Sequence, residues 1–321
     1  MKTRMGWILA VLMILCAPPL SATGESTPVP IPADPPASGD SPGAPPPVAM
    51  IFSDNTNVVD PIDRNLRWKN AAVIGGVAFA VGVYGRKHWW SDDVTSSFRT
   101  RNEGWFGQGT YAGGSDKLGH AFSTYAGTRV LARLFEGLGN PPERSLRLAG
   151  WTSLGVFTGV EVMDGFSSRW RFSYEDMVAN AAGVAFALLL EKYPSIDALL
   201  DFRLLYRRSE DDRLRGKTSP SGDYTGQTYL LAFKADGVPR LRNVPLVRYL
   251  ELLVGYGARG YEIQRDPHRL VYYGVGINLS RVLGDTLFRG GLKGGKIQGA
   301  TDTLLELFEV PGTAAWTDRR L

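Results

Sequence analysis

Three polar pairs interrupt otherwise apolar stretches of this chain. Asp116 and His120 are four residues apart, Glu161 and Asp164 three apart, and Asp176 and Asn180 four apart. On a helix each of these spacings puts both side chains on one face. Carboxylates beside an imidazole can move protons or hold a divalent cation. They can equally form an internal network of ion pairs and hydrogen bonds. Lys117 stands next to the first pair, and Arg169 and Arg171 follow the second. Part of the pattern is capping: Ser173-x-x-Asp176 is a variant capping box, and Asp116 falls in a first turn, where a carboxylate suits the helix dipole. Capping does not cover Glu161 and Asp164, which fall at a helix C-terminus. There the dipole disfavours anions, so they need Lys117, a protonated His120, Arg169, Arg171 or a bound metal. Three readings stay open: a structural cluster, a catalytic or ligand site, and unrelated surface polar residues. In the catalytic reading, His120, Glu161, Asp164 and Asp176 carry the chemistry, with Asp116, Lys117, Asn180 and Arg169 around them. The residues name no metal and no cofactor.

To bring these pairs together the chain needs helices in alternating directions. Gly and Pro punctuation predicts four, over Ala71–Gly85, Asp116–Phe135, Glu143–Met163 and Tyr174–Lys192. If the third runs antiparallel to the second and fourth, its end lies beside their starts and all three pairs meet at one end of the bundle. The helices are apolar nearly all round, which suits either burial by protein or contact with lipid. Their clean apolar runs, roughly 14–16 residues, are short of the roughly 20 a full span needs, so lipid contact would be tilted, re-entrant or interfacial. Small residues (Gly75-Gly76, Ala126-Gly127, Gly155, Gly159, Ala181-Ala182-Gly183) would let backbones approach closely.

Beyond residue 200 the period changes. Tyr224–Lys234, Leu246–Tyr261 and Leu270–Ser280 read as strands; in the last, Val271, Tyr273, Val275, Ile277 and Leu279 share one face. The expected fold is α+β: about four short apolar helices over residues 49–200, then a small antiparallel sheet over 201–321 with a short helix at Thr301–Phe308. Three or four strands are too few for a closed membrane barrel, which needs at least about eight; an open sheet on the helices or against a membrane fits better. Arg203, Arg207, Arg208, Arg213 and Arg215, diluted by Glu210, Asp211 and Asp212, read as a solvated connector. Gly255-x-Gly257-x-x-Gly260 spells a dinucleotide fingerprint but lies in a strand-like run, and is set aside. H-E-x-x-H and a phosphate-cradling loop are absent from the sequence; Gly39-x-Ser41-x-Gly43 spells a nucleophile-elbow pattern but falls in the Pro-rich stretch, not between a strand and a helix. His88 beside Trp89-Trp90 reads as interfacial packing, and His268 as an exposed loop residue.

The N-terminus predicts export. Lys2 and Arg4 precede an apolar run from Trp7 to Leu15, then Pro18-Pro19 and the small residues Ala22-Thr23-Gly24, the three parts of a cleavable secretory signal over residues 1–24. The single cysteine, Cys16, follows Leu15, a poor context for lipid attachment, and cleavage would leave a chain without thiols. Residues 25–48 contain nine prolines and read as a disordered, extended linker. Residues 1–24 carry two basic residues and no acid, so their removal takes the formal net charge from +4 to +2. Nucleic acid is therefore not an expected partner.

The runs Asn102-Glu103-Gly104-Trp105-Phe106-Gly107 and Gly113-Gly114-Ser115-Asp116-Lys117-Leu118-Gly119-His120, then Glu161-x-x-Asp164-Gly165 and Ser173-x-x-Asp176-x-x-x-Asn180, resemble the YfiM-like family of predicted periplasmic lipoproteins. More distantly, the D-K-x-x-H, E and D-x-x-x-N pattern is similar to the VanZ-like membrane proteins associated with glycopeptide resistance. The resemblance covers about residues 100–195, and it adds Glu103 and Trp105 to the cluster. It implies an envelope protein in the periplasm and supplies no reaction; association with the outer membrane is a separate expectation. Two functions follow as expectations. One is a non-enzymatic, membrane-associated envelope protein whose polar cluster holds the bundle together, with membrane lipid or an envelope protein as partner. The other is a membrane-proximal enzyme, metal-dependent or not, acting on a lipid or cell-wall intermediate.

Overall fold

The computed structural model describes residues 64–90, 94–216, 220–288 and 295–321. The signal-like and Pro-rich segments, 1–24 and 25–48, lie outside the described residues, as does the start of the region expected to be helical from 49. The elements in chain order are α1 (Arg64–His88), β1 (Thr100–Arg101), α2 (Ser115–Gly137), α3 (Pro142–Gly165), β2 (Phe172–Ser173), α4 (Tyr174–Lys192), α5 (Pro194–Asp197), β3 (Leu200–Tyr206), α6 (Glu210–Leu214), β4 (Gln227–Lys234), β5 (Leu250–Arg259), β6 (His268–Ile277), α7 (Leu279–Asp285), α8 (Lys296–Leu307) and β7 (Ala314–Arg320). The architecture is α+β, as the pattern predicts.

α2 is the central helix and packs on both α3 and α4. Its approach to α4 depends on Gly183: a Cβ there would collide with the Ala121 carbonyl oxygen. Thr124 secures the contact, its hydroxyl donating to the Asn180 carbonyl at 2.9 Å. The other small residues do not all serve this purpose. Gly75, Gly76, Gly155 and Gly159 have open space where a side chain would be, so they mediate no close approach. α1 is held more lightly. Val73, Ile74 and Val77 pack against Leu131, Phe135 and Ala149, and Asn70 and Asn140 exchange a reciprocal pair of amide hydrogen bonds at 2.8 Å.

No helix among the described residues is long and apolar enough to cross a membrane. The helices are also less uniformly apolar than their runs suggest. α2 carries Arg129, 1% exposed, inside a cage of Asp197 at 2.6 Å, Glu191 at 3.1 Å and Glu306 at 3.4 Å.

The sheet is a five-stranded antiparallel meander in the order β3-β4-β5-β6-β7. Two of its strands escape the sequence pattern. β3 contains Asp201 and Arg203 and looks like a connector; β7 ends in Asp318, Arg319 and Arg320 and looks solvated. The solvated reading of Arg203 is wrong. It is 5% exposed and paired with Asp201 at 2.6 Å, Glu251 at 2.7 Å and Glu309 at 3.0 Å. Gly255 and Gly257 lie within β5, as their setting aside as a dinucleotide site requires. His268 opens β6 and is only partly exposed, and the terminal helix starts five residues earlier than expected.

The register places the apolar residues in rows across one face. Phe202, Leu231, Val254, Tyr273 and Thr317 form one row; Leu200, Phe233, Leu252, Val275 and Ala315 form the next; Leu250 and Ile277 extend it. At the β3 end these rows lie under the helices, where Phe202 joins Phe122 and Tyr125 of α2, Leu190 of α4 and Leu307 of α8 in one core. Toward β5 and β6 the same rows emerge into solvent.

Candidate functional site

The expected convergence occurs at one end of the bundle. α3 runs antiparallel to α2 and α4, and its last turn lies beside their first turns. Two further devices close the site. β1 pairs in parallel with β2, Thr100 opposite Phe172 and Arg101 opposite Ser173, which fixes the loop bearing Glu103 next to the start of α4. The chain then enters α2 through Ala112, Gly113 and Gly114, all at positive φ. Gly114, at φ +85°, sits so close to the Trp105 carbonyl oxygen that no side chain fits. This turn buries Ser115, Asp116 and Lys117 at the very start of the helix.

Lys117 is the centre of the cluster. Its ammonium, 2% exposed, lies 2.5 Å from Glu103 Oε2, 2.6 Å from Asp176 Oδ1 and 2.9 Å from Asp116 Oδ2. The second oxygen of each aspartate faces His120: Asp116 Oδ1 is 3.8 Å and Asp176 Oδ2 4.0 Å from Nε2. On the other edge of the ring, Nδ1 lies 3.2 Å from Asn180 Oδ1 and 3.4 Å from Glu161 Oε1. Glu161 therefore finds its positive partner in His120. Asp164 finds a neutral one, the Trp90 indole N–H, which donates to Oδ1 at 2.5 Å. Ser173 caps α4 by accepting from the Asp176 amide at 3.2 Å, while the Asp176 side chain turns to Lys117 instead of completing a capping box.

Five carboxyl groups thus share two basic side chains, and their proton affinities reflect it. Burial pushes Glu161 up to about 8, Glu103 to about 7 and Asp164 to about 6, with neighbouring carboxylates adding to each. Burial also leads the upward shift of Asp176. For Asp116 burial acts the same way, but His120, Lys117 and a hydrogen bond from the Tyr224 hydroxyl outweigh it and hold the group below its usual range. Burial alone would lower His120; Asp116, Asp176 and Glu161 instead raise it to about 9.

Some expected members are elsewhere. Arg169 is exposed and stacks over the Trp170 ring at 4.6 Å, Arg171 is exposed, and Trp105 is 46% exposed; none of these side chains is seen bonded to the cluster. The arginines are not needed, because His120 and Trp90 already satisfy the α3 terminus. Sequence reasoning missed Trp90 and Tyr224. Trp90 is 4% exposed, a buried donor rather than an interfacial aromatic. Its neighbour His88 does pack on an aromatic, with the Tyr84 ring 4.4 Å away. Nothing in the local pattern of either Trp90 or Tyr224 marks it as a partner of a carboxylate 74 or 108 residues distant.

Asp116, His120 and Asp176 each offer one ligand atom, all within 4.8 Å of one another, and so could hold a metal ion. The arrangement can also hold or relay a proton between buried carboxyls and the imidazole.

Residues 102–192 match a family described as a predicted periplasmic lipoprotein (DUF2279). That stretch runs from the residue before Glu103 to the end of α4 and contains Glu103, Asp116, Lys117, His120, Glu161, Asp164, Asp176 and Asn180. No curated protein and no solved structure matches the chain.

Proposed function

We propose that this is an exported periplasmic protein that rests against a membrane surface through its sheet, and that the Lys117-centred cluster ties the helix ends together beside it. Export is supported by the family match, by the resemblance to YfiM-like proteins and by the signal-like N-terminus. The observation that carries the membrane reading is the emergent part of the apolar rows. Leu231, Phe233, Leu250, Leu252, Val254, Tyr273, Val275 and Ile277 are between 38% and 61% exposed on one sheet face. Isolated exposed apolar residues are ordinary, but a contiguous patch calls for an occupant.

The loop from β4 to β5 carries further exposed apolar residues and indicates which occupant. Leu246 at its tip is 77% exposed and held at φ +67°, with Leu241 and Val244 also exposed. Arg240 and Arg242 are exposed among them. An apolar tip interleaved with arginine suits the boundary between acyl chains and anionic headgroups.

Sedimentation of the full chain with phosphatidylglycerol-containing vesicles tests this. Binding is expected to be salt-sensitive, weakened by R240E/R242E and abolished by L252E/V275E. Failure of the folded protein to bind, or a concentration-dependent dimer abolished by L252E/V275E in its place, would assign the face to a second copy or another protein.

A further inference from the structure

The split of the two aspartates between Lys117 and His120 leaves one interaction incomplete. Lys117 occupies one oxygen of each carboxylate. The remaining oxygens, Asp116 Oδ1 and Asp176 Oδ2, converge on His120 Nε2 from 3.8 and 4.0 Å. These separations exceed the roughly 3.2 Å limit of a good N–H···O bond, so a proton on Nε2 would have no acceptor in reach. Without that proton, the Nε2 lone pair faces two anionic oxygens, which is repulsive. Either way Nε2 is poorly served as it stands, and a cation among the three atoms, which lie within 4.8 Å of one another, would suit it better.

The other edge of the ring fixes the choice. Nδ1 is surrounded by acceptors, Asn180 Oδ1 at 3.2 Å and Glu161 Oε1 at 3.4 Å, which hold a proton there and leave the Nε2 proton as the one a cation displaces. A histidine ligand held by a carboxylate and an amide behind it is the usual outer support of a metal site. Behind the ring, on its Nδ1 edge, Asn180 is 0% exposed, yet its Nδ2 has no hydrogen-bond partner. Buried polar atoms are rarely left so.

We infer that Asp116 Oδ1, Asp176 Oδ2 and His120 Nε2 bind one divalent first-row cation of the zinc or manganese class. Two carboxylate oxygens and one imidazole, with no sulfur, are the donors those ions accept. Three protein donors would leave such an ion room for water or a further ligand, as in sites with three protein ligands. Lys117 serves as a fixed counter-charge that prevents the two aspartates from repelling each other before the ion arrives. This inference does not depend on what covers the sheet.

The test uses the full chain purified from the envelope, stripped with a chelator and titrated with Zn²⁺ and with Mn²⁺ while binding stoichiometry and melting temperature are read. One equivalent of either ion is expected, with a rise in melting temperature. H120N and D176N should abolish both effects, and E161Q should weaken affinity by about 10- to 100-fold, as loss of outer support does. Should those variants fail to fold, H88Q/H268Q leaves His120 as the sole histidine. Nitrogen NMR must then show a proton on Nδ1 and a metal-dependent shift at Nε2. No saturable binding by the folded wild type, binding undiminished in folded H120N and D176N, or an Nε2 resonance unmoved by metal would overturn the assignment.

Discussion

At the scale of single residues, the cluster is a problem of charge. Lys117→Met removes the ammonium from three buried carboxylates while keeping the stem, and loss of one partner of a buried ion pair costs about 3–5 kcal/mol. Unfolding in urea should show a loss of that order, and a change below about 1 kcal/mol would mean that the carboxylates simply take up protons. Glu262 gives a cleaner titration, away from the cluster. Burial, with Asp223 and Asp211, pushes it up to about 7 from an ordinary value near 4.5, despite its ion pair with Arg215. Between those values the folded state holds more protons than the unfolded one, so this group makes stability fall as pH rises through the window. Glu262→Gln should narrow the difference in urea midpoint between pH 5 and pH 8; an unaltered difference would refute it. The cluster itself was legible in sequence because helix spacing at 116/120, 161/164 and 176/180 is a local signal. Trp90, Tyr224 and the outward turn of Arg169 were not, because they depend on where loops place side chains.

At the scale of elements, close approach is decided at particular glycines, and composition alone misidentifies them. Gly183→Ala forces a methyl into the Ala121 carbonyl and should cost roughly 1–3 kcal/mol, pulling Asp176 away from Lys117. Gly155→Ala meets nothing within 4 Å and should stabilise α3 by about 0.5–1 kcal/mol through helix propensity alone. Thermal melts of the two variants should move in opposite directions; a shared direction would reject the packing argument. Helices α2, α3 and α4 were legible to within one or two residues, since Gly and Pro mark their ends. α1 runs seven residues earlier and three later than its apolar run, because Arg64, Arg67, Arg86 and Lys87 extend a helix that composition closes at its charges. β3 was hidden for the opposite reason. Its Asp201 and Arg203 look solvated in sequence, but they pair with each other and with Glu251 and Glu309, contacts that exist only once the sheet has formed.

At the scale of the whole molecule, the N-terminal sequence is expected to direct where the folded part works. The family description as lipoprotein and the Leu15–Cys16 context point to different anchors. We expect cleavage near Ala22-Thr23-Gly24 and an unmodified mature chain; intact mass of the envelope-purified protein would instead show Cys16 with attached acyl chains if the lipoprotein route operates. The sheet has a further property that follows from its connectivity. Among the described residues β7 pairs only with β6, so one row of its backbone donors and acceptors is open. An open edge beside an apolar face is a template for adding strand after strand from other copies. Asp318, Arg319 and Arg320 stand along that edge, all exposed, with Arg320 pinned to Asp266 at 2.6 Å. Charge at this rim acts as a gatekeeper: it lets the molecule display a greasy surface in a crowded compartment without growing into fibrils.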